Sequence, residues 1–325
     1  MNRFEYVRAG SVAEAVTALG EPGALLKAGG IDVLDRLKEG LVAPRRLVSL
    51  EAPELRTLRD DARDGLRLGA LVTLAALEAH PAVRGRYAAL SQAAGHVATP
   101  QIRNVATVGG NLLQRPRCWY FRHADFHCRK KGGATCYAQH GENQLHAIWG
   151  NGTCAIVHPS TLATALVALG AKVTLSGPRG PRTMALEGFF STPEHSLAGE
   201  NVLAADEVLM ELHLPPPAVG TRSVHWKQGE RESFDWAIAE AAVVLELAGR
   251  TCKRASIVLG AMAPVPVRAK ASEAMLLGKV IDPEVAALAA RAAVAKATPL
   301  DKNRYKVQIF ETVVARAILR AAGAA

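Results

Sequence analysis

The sequence predicts an α/β protein in which a larger domain is followed by a smaller one. Three observations lead there. At 325 residues, with 49% apolar and 21% charged side chains, the chain is too long for one small domain and has ample material for a core. Short apolar strands that run into paired glycines and then into amphipathic helices recur along its N-terminal part. The triplet Pro215–Pro217 then makes a stiff extended linker, which sets the domains at 1–217 and 218–325.

In "SVAEAVTALGEPG" Ser11 can cap a helix, Val12, Ala15, Val16 and Leu19 share one face, and Gly20 ends it. "ALLKAGG" is a short strand, "IDVLDRLKEG" an amphipathic helix and "RRLVSLE" a second strand, so these segments form a βαβ unit. "GLRLGALVTLAALEAH" starts a second strand–helix cycle. "YAALSQAAGHVAT" adds a helix that Pro100 stops, and "QIRNVATVGGNLL" is expected to be extended. The stretch from about 115 to 153 is irregular, which is unusual inside a domain unless the segment is functional. "CAIVHPSTLATALVALGA" reads as a strand, a turn at Pro159 and a helix capped by Ser160; "AKVTLSGPRGPRTMALEGFF" as a hairpin; "EVLMELHLPPP" as a strand. Beyond the linker, "RSVHWKQ" and "RASIVLGAM" are strands, "DWAIAEAAVVLEL" is helix or strand, and two Ala-rich helices cover roughly 283–296 and 305–322.

The irregular stretch holds most of the chemistry. Of five cysteines, four fall in it or at its end, spaced Cys118-x9-Cys128-x7-Cys136-x17-Cys154, while Cys252 lies far off. Four thiolates can hold an iron–sulfur cluster or a structural zinc. Zinc knuckles use close Cys pairs, and none occurs here; wide, uneven gaps suit a bulky cluster gripped by a long loop. Zinc, two disulfides, or four thiols that merely pack remain the alternatives. Arg115, Arg117, Arg122, Arg129, Lys130 and Lys131 stand against Asp125 alone, and cations stabilise the net anion that a four-thiolate cluster is.

Two glycine turns are the second feature. "KAGGIDVL" joins a strand to a helix, where backbone N–H groups and the helix dipole favour a diphosphate. "TVGGNLL" is a second turn, with Thr107 and Asn111 offering hydrogen bonds. There is no dinucleotide fingerprint: "GNGTCA" fits one formally but leads into a strand rather than a helix.

No apolar run approaches the roughly 20 residues that span a bilayer, and "MNRFEYVRAGSVAEAV" has no apolar signal core. The formal charge is +9. Nucleic-acid binding is one explanation; a solvated surface, or a basic face for an acidic partner protein, is the plainer one.

Together these segments resemble the FAD-binding (medium) subunits of molybdenum hydroxylases of the xanthine dehydrogenase, carbon monoxide dehydrogenase and aldehyde oxidoreductase type. "FEYVRAGSVAEAVTAL", "KAGGIDVLDRLK", "LRLGALVTLAALE", "QIRNVATVGGNLLQ", "HPSTLATALVALGA" and "YKVQIFETVVARAIL" stand in that family's order. The cysteine insert is similar to the branches with an extra [4Fe–4S] cluster: the periplasmic aldehyde oxidoreductases and the 4-hydroxybenzoyl-CoA reductases (β subunit). The resemblance implies a PCMH-type FAD-binding domain of two subdomains, about 1–53 and 54–217, with an Fe–S loop at about 114–154 and a smaller C-terminal α/β domain of the CO dehydrogenase flavoprotein type. It implies that Leu26, Lys27, Ala28, Gly29, Gly30, Ile31, Asp32, Val33 and Leu34 wrap the FAD diphosphate. Thr107, Gly109, Gly110 and Asn111 would line the flavin side, and Lys227 would neighbour the flavin. Thr161 stands where most relatives carry an aspartate, so a hydrogen bond is kept and a carboxylate is lost. Cys118, Cys128, Cys136 and Cys154 would hold the [4Fe–4S] cluster.

The resemblance further implies an electron-transfer subunit with no catalytic acid or base of its own. A large molybdenum-cofactor subunit would oxidise an aldehyde to a carboxylate. A small [2Fe–2S] subunit would carry the electrons to FAD here, and an external acceptor would take them. The location would be cytoplasmic, or periplasmic by co-export with a signal-bearing partner. Other readings are a 4-hydroxybenzoyl-CoA reductase β subunit, a stand-alone flavin reductase, and a basic zinc-binding nucleic-acid module. The last is opposed by the chain-long α/β pattern.

Overall fold

The computed structural model describes residues 2–324. Its N-terminal layer is a parallel sheet of β1 (Glu5–Ala9), β2 (Ala24–Lys27) and β3 (Arg46–Leu50) in the order β1-β3-β2. The helices Val12–Leu19 and Ile31–Lys38 make the crossovers. The first is fixed at its start by reciprocal caps: Ser11 Oγ accepts from Glu14 N at 3.2 Å, and the Glu14 carboxylate accepts from Gly10 N at 2.8 Å.

The second layer is an antiparallel sheet of β4 (Leu58–Asp61), β5 (Gly65–Gly69), β6 (Lys172–Gly177), β7 (Gly180–Ala185) and β8 (Val208–Leu214), ordered β4-β5-β8-β6-β7. Helices Leu74–Ala79, Pro81–Arg86, Ala88–Gly95 and Thr161–Ala168 accompany it. The C-terminal sheet comprises β9 (Thr221–Gln228), β10 (Ala239–Ala248), β11 (Thr251–Gly260) and β12 (Val267–Arg268), ordered β12-β11-β10-β9 and antiparallel. Helices Lys270–Leu276, Pro283–Val294 and Lys306–Ala322 complete this domain. The mixed α/β architecture is the expected one. Among the described residues no helix is long and apolar enough to cross a membrane.

"DWAIAEAAVVLEL" resolves as strand β10. Its residues from Ala239 to Leu245 are all buried, because helix Lys306–Ala322 and helix Thr161–Ala168 both pack against it, so it shows no alternation to read. That second helix ties the domains together: one core cluster runs from Leu66 and Leu68 through Leu162 and Leu166 to Ala242, Val244 and Val258.

Two expectations are corrected. Residues 101–113 are not extended but hold two short helices, Pro100–Arg103 and Val108–Leu112, each started by a threonine cap: Thr99 Oγ1 accepts from Ile102 N at 3.4 Å and Thr107 Oγ1 from Gly110 N at 3.1 Å. The strand expected at the start of "CAIVHPS" joins no ladder. Instead Ala155 O accepts from Ala147 N at 2.9 Å and His158 N donates to Ala263 O at 2.8 Å.

Candidate flavin and iron–sulfur sites

The two glycine turns meet. Built at Gly29, a Cβ would run into the Val105 carbonyl, so the first turn lies directly on the segment that leads into the second. Gly30 adopts φ +88 and caps helix Ile31–Lys38, a left-handed position suited to glycine. Between the turns opens a cleft of about 560 Å³, within the range of small-molecule sites.

Leu26, Ala28, Gly29, Gly30, Ile31, Asp32 and Val33 line this cleft, as do Thr107, Gly109, Gly110 and Asn111. Asn111 is held by Ser160, whose hydroxyl donates to Asn111 Oδ1 at 2.7 Å. Lys27 and Leu34 do not line it: Lys27 Nζ donates to Ala28 O and Ser49 Oγ, both at 3.3 Å, and Leu34 is exposed.

Thr161 and Lys227 also stand apart from the cleft lining, in a polar network behind it where the domains join. Thr164 Oγ1 donates to the buried Glu240 at 2.9 Å, and Thr161 lies near the same carboxylate. His225 lies 3.6 Å from Glu240 and its Nδ1 is 3.0 Å from His96 Nδ1. Lys227 Nζ donates to the His96 carbonyl at 2.8 Å. Burial, then the charges on His225 and Lys227, lower the His96 pKa to about 4.

Sequence reasoning missed the cleft's cationic wall. Arg36, Arg115 and Arg117 line it, with Trp236 at the rim under the Arg117 guanidinium, 5.1 Å from the ring centroid. The density of arginines between 115 and 131 was visible in the sequence, but which of them faces which site was not.

The four clustered cysteines converge. Cys118, Cys128, Cys136 and Cys154 line one void of about 10 Å³ that Arg129 and Lys130 also border. Cys252 is buried elsewhere, in β11. Nearby peptide N–H groups favour the ionised form of three sulfurs: those of Phe121 and Tyr120 at Cys118, those of Ala155, Ala138 and Gln139 at Cys136, and that of Ile156 at Cys154. Burial pushes the Cys118 thiol up to about 11 against those donors. The mutual influence of the neighbouring Cys136 and Cys154 thiols holds Cys136 below the usual thiol range and Cys154 above it. His146 Nε2 approaches Cys118 Sγ at 3.2 Å. Among the described residues no three Cys, His, Asp or Glu side chains are grouped closely enough to hold a metal ion as they stand.

The insert is bolted at both ends. Toward the cleft, Arg122 pairs with Asp32 at 2.6 Å and Asp35 at 3.1 Å, and Arg117 pairs with Asp32 at 3.1 Å. Toward the C-terminal domain, Asn143 donates to Asp301 at 2.6 Å, and Lys306 Nζ donates to the carbonyls of His146 at 3.0 Å and Ala261 at 2.8 Å.

Comparison with known proteins identifies the family. Residues 2–217 match the family model of the FAD-binding domain in molybdopterin dehydrogenase, and residues 224–321 that of the CO dehydrogenase flavoprotein C-terminal domain. The chain is 35% identical to the aldehyde oxidoreductase FAD-binding subunit PaoB of Escherichia coli, over 85% of this chain and 86% of that one. It is 32% identical to the carbon monoxide dehydrogenase medium chain of Hydrogenophaga pseudoflava, over 97% and 96% of the two chains. A solved structure of carbon monoxide dehydrogenase from that organism superposes with a TM-score of 0.77, covering 99% of this chain and 98% of the other.

Proposed function

Because the chain belongs to the family of FAD-binding medium subunits of molybdenum hydroxylases, we propose that it binds FAD in the glycine cleft and a [4Fe–4S] cluster on Cys118, Cys128, Cys136 and Cys154. In this reading it is the electron-transfer subunit of an aldehyde-oxidising complex, beside a large molybdenum-cofactor subunit and a small [2Fe–2S] subunit. The two groups supply the redox chemistry, and the protein supplies binding, orientation and electrostatics.

The observation that carries FAD is the cleft itself, where two glycine turns and three arginines face one space. Backbone N–H groups at the Gly30 end of helix Ile31–Lys38 suit a diphosphate. The hydroxyl of Ser160 holds the Asn111 amide, which orients a polar group toward the cleft. The cluster assignment is supported by four buried or nearly buried thiols around one void, by peptide groups near three of the sulfurs that favour their ionised form, and by Arg129 and Lys130 at its edge. Donors and cations of that kind stabilise anionic clusters. The void of about 10 Å³ has room for about one water, so uptake of a four-iron cluster requires the side chains to spread. The aldehyde assignment is supported by the likeness to PaoB.

Anaerobically prepared protein is expected to contain one FAD and about four irons, as a [4Fe–4S] cluster requires. Iron and acid-labile sulfide should fall in Cys118→Ser, Cys128→Ser, Cys136→Ser and Cys154→Ser, and stay unchanged in Cys252→Ser. Stoichiometric zinc in place of iron overturns the cluster assignment. Aldehyde-dependent bleaching of the flavin should need the large and small subunits; bleaching by the isolated chain at ordinary enzyme rates, roughly 1–1000 per second, overturns the subunit role.

A further inference from the structure

Arg115 and Arg117 belong to the cysteine insert, and Cys118 follows them at once. Both side chains nevertheless line the glycine cleft and not the void among the thiols. The charged side chains of the cleft wall are Arg36, Arg115 and Arg117 against Asp32 and Glu207. Glu207 is already paired at 2.7 Å with Arg182, which lies outside the wall. Asp32 is shared among Arg122 at 2.6 Å, Arg117 at 3.1 Å and Arg36 at 3.8 Å. Arg115 shares the buried Glu200 with Lys130, each at 2.7 Å.

The wall therefore holds more positive charge than its carboxylates neutralise. The Nε atoms of Arg36 and Arg117 are buried without a hydrogen-bond partner, whereas that of Arg115 meets Glu200 at 2.7 Å. Burial, and next to it the like charge of Arg115, lower the pKa of Arg36. Such crowding of cations is relieved by an anion, and arginine's planar fork matches phosphate oxygens. The Gly29–Gly30 turn in the same wall offers backbone N–H groups to the same kind of group.

We propose that Arg115 and Arg117 clamp the diphosphate of FAD, so that flavin binding depends on the order that the cluster imposes on the insert. The proposal rests on the flavin- and cluster-binding reading above. The connection is short: Arg122, four residues past Cys118, grips Asp32 and Asp35 on the helix that starts at Gly30. Thiols held by a cluster fix residues 115–122, and with them the clamp. Linkage makes the effect reciprocal, so bound FAD also raises the affinity of the insert for its cluster.

The test titrates the full chain with FAD, following flavin fluorescence, in an anaerobically iron–sulfur-loaded form and a chelator-stripped form. The loaded form is expected to bind FAD tighter by between about 5-fold and 150-fold, the usual span of coupling between two sites. In Arg115→Gln/Arg117→Gln that gap should vanish while iron content stays at the wild-type level, and in Arg117→Lys most of it should survive. Riboflavin, which has the ring without phosphates, should bind the loaded wild type and the loaded double variant alike. A parallel loss of riboflavin assigns the arginines a merely structural role and overturns the clamp. Equal FAD affinity with and without the cluster overturns the proposal and leaves the cofactor reading intact; a chain that takes up no iron, or no FAD, overturns that reading and this proposal with it.

Discussion

At the scale of the residue, Gly29 and Gly30 have different work although both stand in one turn. Gly30 needs its left-handed φ of +88, whereas Gly29 needs empty space, because the Val105 carbonyl occupies the position of any Cβ. Gly29→Ala is therefore expected to push the two turns apart, at about 1–3 kcal/mol for overpacking, and to empty the cleft of FAD. Gly40→Ala is the control: its φ is +71 but nothing lies within 4 Å of an added Cβ, so it should lose stability and keep flavin. Flavin per polypeptide and urea midpoints check both; full FAD in Gly29→Ala would refute the close approach. That this turn suits a diphosphate was legible in the sequence, because the glycine pair sits where a strand runs into a helix N-terminus. The roles of Arg115 and Arg117 were not, since a run of basic residues does not reveal which way each side chain points.

At the scale of the element, the strands and long helices were legible where one face is apolar, as in "SVAEAVTALGEPG" and "IDVLDRLKEG". Reading failed where local caps or double-sided burial replace periodicity. Residues 101–113 carry two glycines and a β-branched run, which argue for extended chain, yet Thr107 starts the five-residue helix Val108–Leu112 by accepting from Gly110 N at 3.1 Å. So short a helix has little stability of its own, and the cap carries a large share of it. Thr107→Ala is expected to cost about 1 kcal/mol and to weaken FAD retention, because Gly109, Gly110 and Asn111 are in that helix and in the cleft wall. Thr107→Ser should restore both. A Thr107→Ala protein with an unchanged denaturation midpoint would show that the hydroxyl is idle.

At the scale of the whole molecule, the two domains meet through buried histidines. His158 donates its backbone N–H to Ala263 O at 2.8 Å and accepts at Nδ1 from Ser160 N at 3.3 Å, while its Nε2 is buried without a partner. Burial lowers its pKa to about 4, opposed by the nearby charge of Glu240. His96 is lowered to about 4 as well, facing His225, Lys227, Glu240 and Arg103. An unfolded histidine takes up its proton near pH 6.5, so between that pH and about 4 the unfolded chain binds more protons and acid favours it. Stability is expected to be full above pH 6.5 and to fall on acidification, by about 2 kcal/mol from His158 between pH 6.5 and 5, with His96 acting in the same direction. Denaturation curves at pH 7 and pH 5 measure it, and His158→Gln should flatten the dependence. A wild-type stability that does not change over this range would mean that the junction admits water to these rings.

The core shared between the domains also has a temporal consequence. Ala242, Val244 and Val258 complete the cluster that contains Leu66, Leu68 and Leu162, so a ribosome that has delivered residue 217 has not yet delivered a finished interior. At about 5–20 residues per second, the forty or so residues up to Val258 add about 2–8 s in which the nascent FAD-binding half is incomplete. The Asp301, Asn303 and Lys306 anchors of the cysteine insert emerge later still. Assembly of both sites therefore waits on residues of the C-terminal domain, and a ribosome stalled before residue 242 would hold a chain whose flavin half is still open to proteases.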